Sequence, residues 1–288
     1  MSNQVKASSE RKRIALVTGT SSGFGLLIAV SLAEKGIIVI ATMRDLTRQV
    51  ELARIAEQKG IADRIHYLQL DVTDTVSIST AIENIQAQYG TIDILVNNAG
   101  YAVGGFIEHV PIETWRAQLE TNVFGLIAVT RAVLPIMREQ KDGYIINMSS
   151  VSGLSAFPGY APYATSKFAI EGFSESLRHE MADFNVKVVL VEPGSYRTSI
   201  WEKGLADIYT VPNSPYQSRL EAVLRYSRKS ASSAPDPQEV ADLVGRIVEK
   251  RSPKLRYAIG EGSHIMIWAR KWVPWRVLEW VIGRALKS

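Results

Sequence analysis

The sequence predicts an α/β fold, a doubly wound and mostly parallel sheet with helices on both faces. Three features lead there. Short apolar runs recur without the polar alternation of a half-exposed strand, which marks strands buried on both faces. Helical segments separate them, so successive strands are joined by crossovers and lie parallel. The residues richest in chemistry, Gly19, Asp71, Asn98, Ser150 and Pro193, each follow such a run, at the carboxyl edge where these sheets carry their sites.

In chain order, residues 13–18 form a strand that ends in the turn Gly19-Thr20-Ser21-Ser22-Gly23-Phe24-Gly25, and helical spacing follows over 26–35. Residues 37–41 read as a second buried strand and 46–59 as a helix with a polar face. Strand 65–70, helix 75–89, strand 92–96, helix 112–138 and strand 144–148 continue the alternation. Pro162 suits a helix start, because its missing N–H would have no partner in the first turn. That helix runs from Tyr163 to Ala182, and 186–191 is the sixth strand. No linker divides the chain before residue 198, and 288 residues can bury a core large enough for one α/β domain.

The pentapeptide Tyr163-Ala164-Thr165-Ser166-Lys167 stands out, with Ser150 thirteen residues upstream. Tyr163 and Lys167 are four apart and share a helical face. A cation in the first turn opposes the macrodipole, so a structural role for that ammonium is disfavoured there. A phenol titrates near pH 10, and a fixed positive charge beside it favours the phenolate. Lowering it by about three pKa units, into the range of a general acid or base, takes roughly 4 kcal/mol. The ammonium and the helix N-terminus are expected to supply that. Ser150 ends the fifth strand and delivers a hydroxyl to the same edge.

Composition narrows the chemistry. An apolar share of 46% and a charged share of 22% describe an ordinary globular chain, without disorder or repeats. There is no cysteine, which removes disulfides, thiolate catalysis and Cys-based metal sites. His66, His109, His179 and His264 lack ligand spacing, so no metal is expected. Residues 1–12 are polar and read as a flexible tail rather than a signal peptide. No run of 18 uncharged apolar residues occurs, so no ordinary transmembrane helix is expected. The net charge is +4, and residues 265–288 hold five cations against the single acid Glu279. The remainder is close to neutral, which argues against a nucleic-acid-binding face. A cytoplasmic location follows as the expectation, with membrane association through 265–288 as an open alternative.

Gly19, Gly23 and Gly25 are spaced G-x-x-x-G-x-G after the first strand. Such a turn lets backbone N–H groups approach a pyrophosphate at a helix N-terminus. Thr18, Asp71-Val72, Asn97-Asn98-Ala99-Gly100, Asn122, the Ser150/Tyr163/Lys167 set and Pro193-Gly194-Ser195-Tyr196-Arg197-Thr198 accompany it in order. With these motifs the chain resembles the short-chain dehydrogenase/reductase family, in its main single-domain branch and near its hydroxysteroid- and retinol dehydrogenase-like members. The resemblance is close over 13–198 and looser to Gly260. It implies a Rossmann-type sheet of seven strands and a single catalytic domain, 13–262, followed by a basic, Trp-rich extension, 263–288.

The same resemblance implies site roles. Gly19, Gly23 and Gly25 would hold the pyrophosphate, Ser21, Ser22 and Phe24 between them would also bind the cofactor, and Asp71 and Val72 would contact the adenine. Asn98, Ala99 and Gly100 would border the cofactor, with Asn98 bracing the fourth strand. Asn122 would fix a water connecting Lys167 to solvent. Ser150 would polarise the substrate oxygen, Tyr163 exchange the proton, and Lys167 hold the ribose hydroxyls and depress the Tyr163 pKa. Pro193, Gly194 and Thr198 would seat the nicotinamide carboxamide. Tyr196 departs from the aliphatic residue often found there.

An acid near the end of the second strand would select NAD(H), whereas an Arg would receive a 2′-phosphate. Met43 occupies the family's usual acid position and Arg44 follows, so NADP(H) is expected, with NAD(H) as the alternative. Asp45 would serve NAD only if the strand ran two residues longer than 37–41.

On the substrate side stand Tyr101, Val103, Phe106, Leu154, Phe157, Tyr160, Trp201, Leu205, Ile208 and Tyr209. An apolar pocket ending in a hydroxyl and a phenol suits a lipophilic secondary alcohol or ketone, steroid-, retinoid- or long-chain-like. Residues 200–237, rich in Ser, Pro and Tyr, read as a mobile lid. In the extension, Trp268, Trp272, Trp275 and Trp280 favour either packing over the pocket or a partner subunit, or an interfacial membrane helix. Val123, Ile127 and Phe173 imply burial beyond the sheet and hence a homodimer or homotetramer. The rival reading is a non-catalytic dinucleotide sensor, which would be free to lose the Asn122, Ser150, Tyr163 and Lys167 set.

Overall fold

The computed structural model describes residues 11–198, 208–260, 263 and 272–285. Trp201, Leu205, Trp268 and much of the expected tail and extension lie outside them. One seven-stranded parallel sheet has the order β3-β2-β1-β4-β5-β6-β7. Its strands are β1 (Ile14–Thr18), β2 (Ile38–Met43), β3 (Ile65–Gln69), β4 (Ile94–Asn97), β5 (Gly143–Met148), β6 (Val186–Pro193) and β7 (Arg256–Ile259). The helices are α1 (Gly23–Glu34), α2 (Val50–Gln58), α3 (Thr75–Tyr89), α4 (Ile112–Leu119), α5 (Leu126–Gln140), α6 (Ala161–Glu180), α7 (Gln217–Ser232), α8 (Gln238–Ile247) and α9 (Trp275–Ala285).

Strand pleat explains why β1 is apolar throughout. Ala15 and Val17 enter one buried cluster with Ile28, Leu32, Val240 and Val244 of α1 and α8. Ile14 and Leu16 enter the other, with Ile78, Ile82, Val129 and Val133 of α3 and α5. The strand order reverses between β1 and β4, which opens a crevice at their carboxyl ends.

Five readings of the sequence are corrected. β2 runs to Met43, two residues past the expected end, because Thr42 pairs with Thr18 and Met43 with Gln69. The single helix expected over 112–138 is interrupted by a π-helical turn, Glu120–Gly125. Part of the expected lid, Gln217–Ser232, is the helix α7, and Tyr209 bridges to Gly105 and bonds to Thr114 Oγ1. Val123, Ile127 and Phe173 pack within the subunit, while Ile112, Phe124 and Phe168 are the exposed apolar residues of those helices. Arg11, inside the expected tail, donates to Asp93 Oδ1 at 2.6 Å.

The stretch Ile112–Gln140 is long and apolar enough to cross a membrane by length and composition. Its residues Val129, Val133, Ile136 and Met137 are instead buried against the sheet.

Candidate active site

Along the carboxyl edge of the sheet, Arg44 follows β2, Gly19 follows β1, Asn98 follows β4, Ser150 follows β5 and Pro193 closes β6. Four strand spacings separate the first from the last, about 19 Å at ~4.8 Å each. These residues line one cavity of about 1350 Å³. Every residue of the expected site lines it except Gly25 and Asn122.

The turn between β1 and α1 is held from the β4 side. Thr18 Oγ1 accepts from the backbone N–H groups of Asn98 and Ala99, both at 3.0 Å, and Asn98 Nδ2 donates to the carbonyls of Thr18 and Gly19 at 2.9 and 3.0 Å. Asn98 therefore braces the glycine turn as well as β4. Gly25 has a packing role rather than a cavity-facing one. A Cβ there would stand 2.3 Å from the Gly19 carbonyl oxygen and 2.4 Å from Asn98 Nδ2. At Gly23, with φ +60°, a Cβ would meet nothing nearer than Thr198 at 3.8 Å and would project into open cavity space. No acidic side chain occupies the first turn of α1, so its positive end remains available to an anion. This cradle fits a pyrophosphate.

Arg44 and Arg48 both line the cavity beside Asp45. The longer β2 meets the condition under which Asp45 would compete for a ribose hydroxyl. Its Oδ1, however, accepts from Thr47 N at 3.0 Å and Thr47 Oγ1 at 2.7 Å, and these bonds hold the carboxyl below its usual range. Two guanidinium groups thus stand at this end of the cavity, and the carboxylate between them is already engaged in a cap. Arg48 was not among the expected residues. Its spacing of four from Arg44, across a short 3₁₀ turn, was the available signal.

Asp71 accepts from Thr73 N and Thr73 Oγ1 at 2.9 and 2.8 Å, which fixes the loop after β3 at the cavity wall. Asn122 is buried in the π turn. Its Oδ1 accepts from Tyr101 N at 3.1 Å, and its Nδ2 donates to Tyr101 O at 2.9 Å and Ser166 Oγ at 3.1 Å. The side chain expected to fix a water thus ties the loop after β4 to α6. π turns recur at functional sites because they re-aim one residue without ending a helix.

Ser150 Oγ accepts from Ser152 N at 3.1 Å and its hydroxyl reaches the Pro193 carbonyl at 3.4 Å. Lys167 is buried, donates from Nζ to the Met148 carbonyl at 2.7 Å, and lies 5.5 Å from the Tyr163 ring centroid. Burial pushes the Tyr163 phenol up to about 12, with a hydrogen bond with Ser150 acting against it. Burial likewise draws Lys167 down to about 8, with Glu171 acting against it. The expected lowering of the phenol pKa is therefore corrected. Burial of the phenol is the dominant cause, and the Lys167 ammonium is bonded to the Met148 carbonyl instead.

At the other wall stand Tyr101, Phe157, Tyr160 and Tyr226, together with Trp275, Leu278, Val281 and Ile282 of α9. Tyr160 donates to Ser227 Oγ at 3.1 Å, and Phe157 stacks on Tyr226 with centroids 4.9 Å apart. Val103 and Phe106 are absent from this wall; Val103 is buried elsewhere and Phe106 stacks on Tyr216. Leu154, Ile208 and Tyr209 do not line it either. Tyr196 turns inward, edge-on to Phe24 and bonded to Glu239 at 3.0 Å, while Arg197 is exposed.

The sequence profile of the short chain dehydrogenase family matches residues 13–208. The chain belongs to that family. As a short-chain dehydrogenase it is an NAD(P)-dependent oxidoreductase, and its sheet and crevice are the Rossmann-type arrangement expected. It is 48% identical to an uncharacterized oxidoreductase, YusZ, of Bacillus subtilis over 96% of this chain and 99% of that one. Human retinol dehydrogenase 8 is 36% identical over 85% of this chain and 80% of its own length. An NADPH-dependent 3-dehydrocapnine reductase of Ornithobacterium rhinotracheale is 32% identical over 96% and 98%. Among solved structures, a short-chain dehydrogenase from Streptomyces avermitilis superposes with a TM-score of 0.80 at 34% identity, covering 96% of this chain and 98% of that one.

Proposed function

We propose that this oxidoreductase prefers NADP(H) and interconverts a lipophilic ketone and its secondary alcohol, with Tyr163 as the general acid and base. One observation carries the reading. A single cavity joins a glycine turn flanked by Arg44 and Arg48 to Ser150, Tyr163 and Lys167, and its remaining wall is largely aromatic and aliphatic. A bound nicotinamide would supply or accept the hydride at its C4. Ser150 donates a hydrogen bond to the substrate oxygen, and Tyr163 passes its phenolic proton to that oxygen during reduction. With its pKa held high, the phenol is protonated through the neutral range, as a proton donor must be. Lys167 holds positive charge at the ribose side and offsets part of the cost of negative charge on the reacting phenol.

The preference for NADP(H) rests on Arg44 and Arg48, in line with the NADPH-dependent reductase among the relatives. The lipophilic substrate rests on Phe157, Tyr160 and α9, in line with the retinol dehydrogenase. A cytoplasmic homo-oligomer is the expected assembly, formed through the exposed Phe124 and Phe168. Apolar ketones assayed with NADPH and with NADH by nicotinamide absorbance test the reading. Turnover with NADPH and a long-chain or polycyclic ketone supports it, and turnover confined to small polar substrates overturns it. The sensor alternative predicts cofactor binding with no turnover on any member of the panel.

A further inference from the structure

The cavity mouth is built from two helices that the sequence leaves far apart. Ile282 of α9 packs on Ala222 and Val223 of α7 and on Tyr160. The inner side of α9 lines the cavity through Trp275, Leu278, Val281 and Ile282. Away from that wall, Trp272 is 65% exposed, Trp280 62% and Val277 46%. Large apolar side chains are seldom left so exposed together unless another surface receives them. Cations outnumber acids on the exposed surface of the two helices. Arg276 and Arg284 of α9 and Arg219, Arg225, Arg228 and Lys229 of α7 are all exposed, against the acids Glu221 and Glu279. The Arg284 guanidinium lies 5.4 Å from the Trp280 ring centroid, so a cation and an indole are presented together. Tryptophan and arginine at one level, on a helix with little buried area, match the interfacial zone of a bilayer.

We infer that the α7–α9 rim docks on an anionic lipid surface, so that a lipophilic substrate enters the cavity from the membrane past α9. The inference rests on the lipophilic-substrate reading and extends it by naming where that substrate comes from. Apolar residues of α9 bound the cavity on one side and project outward on the other. A ligand leaving the bilayer beneath them would therefore remain in contact with apolar surface. The cations of α7 widen the electrostatic footprint beyond the extension itself, and each adds attraction within a Debye length of acidic headgroups.

The full-length protein, sedimented with phosphatidylcholine vesicles containing 30 mol% phosphatidylserine, tests this, with pure phosphatidylcholine as control. The expected result is partition to the acidic vesicles at low salt and at least about tenfold weaker partition in 0.5 M NaCl or on neutral vesicles. Trp272→Ala/Trp280→Ala should lower partition about tenfold, and so should Arg225→Gln/Arg228→Gln/Lys229→Gln. Neither variant should change turnover of a water-soluble ketone, which separates failure of docking from failure of the catalytic reading. Absence of wild-type partition overturns the inference, as does partition indifferent to both variants. A wild-type dimer that both variants dissociate would show that a second copy covers this rim, and would overturn it equally.

Discussion

Lys167 Nζ donates to the Met148 carbonyl at 2.7 Å, and the Tyr163 ring centroid is 5.5 Å from the same nitrogen. The ammonium is thus anchored to the end of β5, the strand that also delivers Ser150, and its position follows the sheet. Tyr163→Phe removes the exchangeable proton and keeps the ring. Reductive turnover should fall at least about a hundredfold, with cofactor affinity within a few-fold of wild type by fluorescence titration. Lys167→Met should lose turnover and also weaken cofactor binding.

The depressed Lys167 pKa gives this pair a pH signature. Its ammonium, near 8 in the folded protein, is lost well before the Tyr163 phenol, near 12, ionises. Reductive kcat should therefore decline above about pH 8, and Lys167→Arg should move that limb upward in whatever activity it retains. A decline appearing only above pH 10 would assign it to the phenol instead.

Arg44 and Arg48 share one cavity wall with an Asp45 already engaged with Thr47. Arg44→Ala should weaken NADPH binding by roughly 1.5–3 kcal/mol, the range of a charge-assisted contact, and leave NADH nearly unchanged. Arg48→Ala should act in the same direction. A wild type that prefers NADH by more than tenfold would assign the ribose to Asp45. Isothermal titration with both cofactors distinguishes these outcomes.

Strand starts, the parallel order and the residues at the strand ends were legible because each is written locally, in an apolar run and the punctuation after it. What was not legible depends on distant partners. The two extra residues of β2 exist because Thr18 and Gln69 on the neighbouring strands offer them ladders. The π turn at Asn122 passes close to the loop after β3, where a Cβ on Gly125 would stand 2.7 Å from Val72 Cγ2. Spacing put Tyr163 and Lys167 on one face correctly. It could not reveal the burial that pushes the phenol pKa up rather than down. Nor could the sequence show that α7 and α9 meet at one cavity.

Assembly can be tested on exposed apolar positions. Phe124 is 56% and Phe168 38% exposed, on the π turn and on α6. If these faces pair between subunits, Phe124→Asp/Phe168→Asp should convert a dimer or tetramer to monomer in sedimentation velocity at micromolar concentration. Strand content by circular dichroism should be unchanged, because neither side chain enters the sheet core. A monomeric wild type would remove the oligomer reading.

Glu192 offers a test of the fold that is independent of turnover. It is fully buried on β6, and Arg256 Nε lies 3.2 Å from its Oε1 while also donating to Glu171 Oε2 at 3.1 Å. Arg256 is shared further with Glu175 at 2.5 Å, so one guanidinium faces three carboxyl groups. Burial, followed by repulsion from Glu171, pushes Glu192 up to about 8 from an ordinary 4.5. An acid whose pKa is raised on folding favours the native state only while it carries its proton. That contribution is complete below about pH 4.5 and is lost as pH rises through about 8. Wild-type stability should therefore decline across pH 5 to 9 by more than its other groups require. Glu192→Gln keeps the shape and cannot ionise, so it should flatten the decline. The variant should gain at least ~1 kcal/mol over wild type at pH 8.5 relative to pH 5, a conservative figure when a tenfold change in proton affinity alone carries ~1.4 kcal/mol. Urea midpoints at the two pH values provide the measurement. Parallel profiles for wild type and variant would mean that Arg256 keeps Glu192 ionised throughout, and that the buried cluster is an ion pair rather than a proton store.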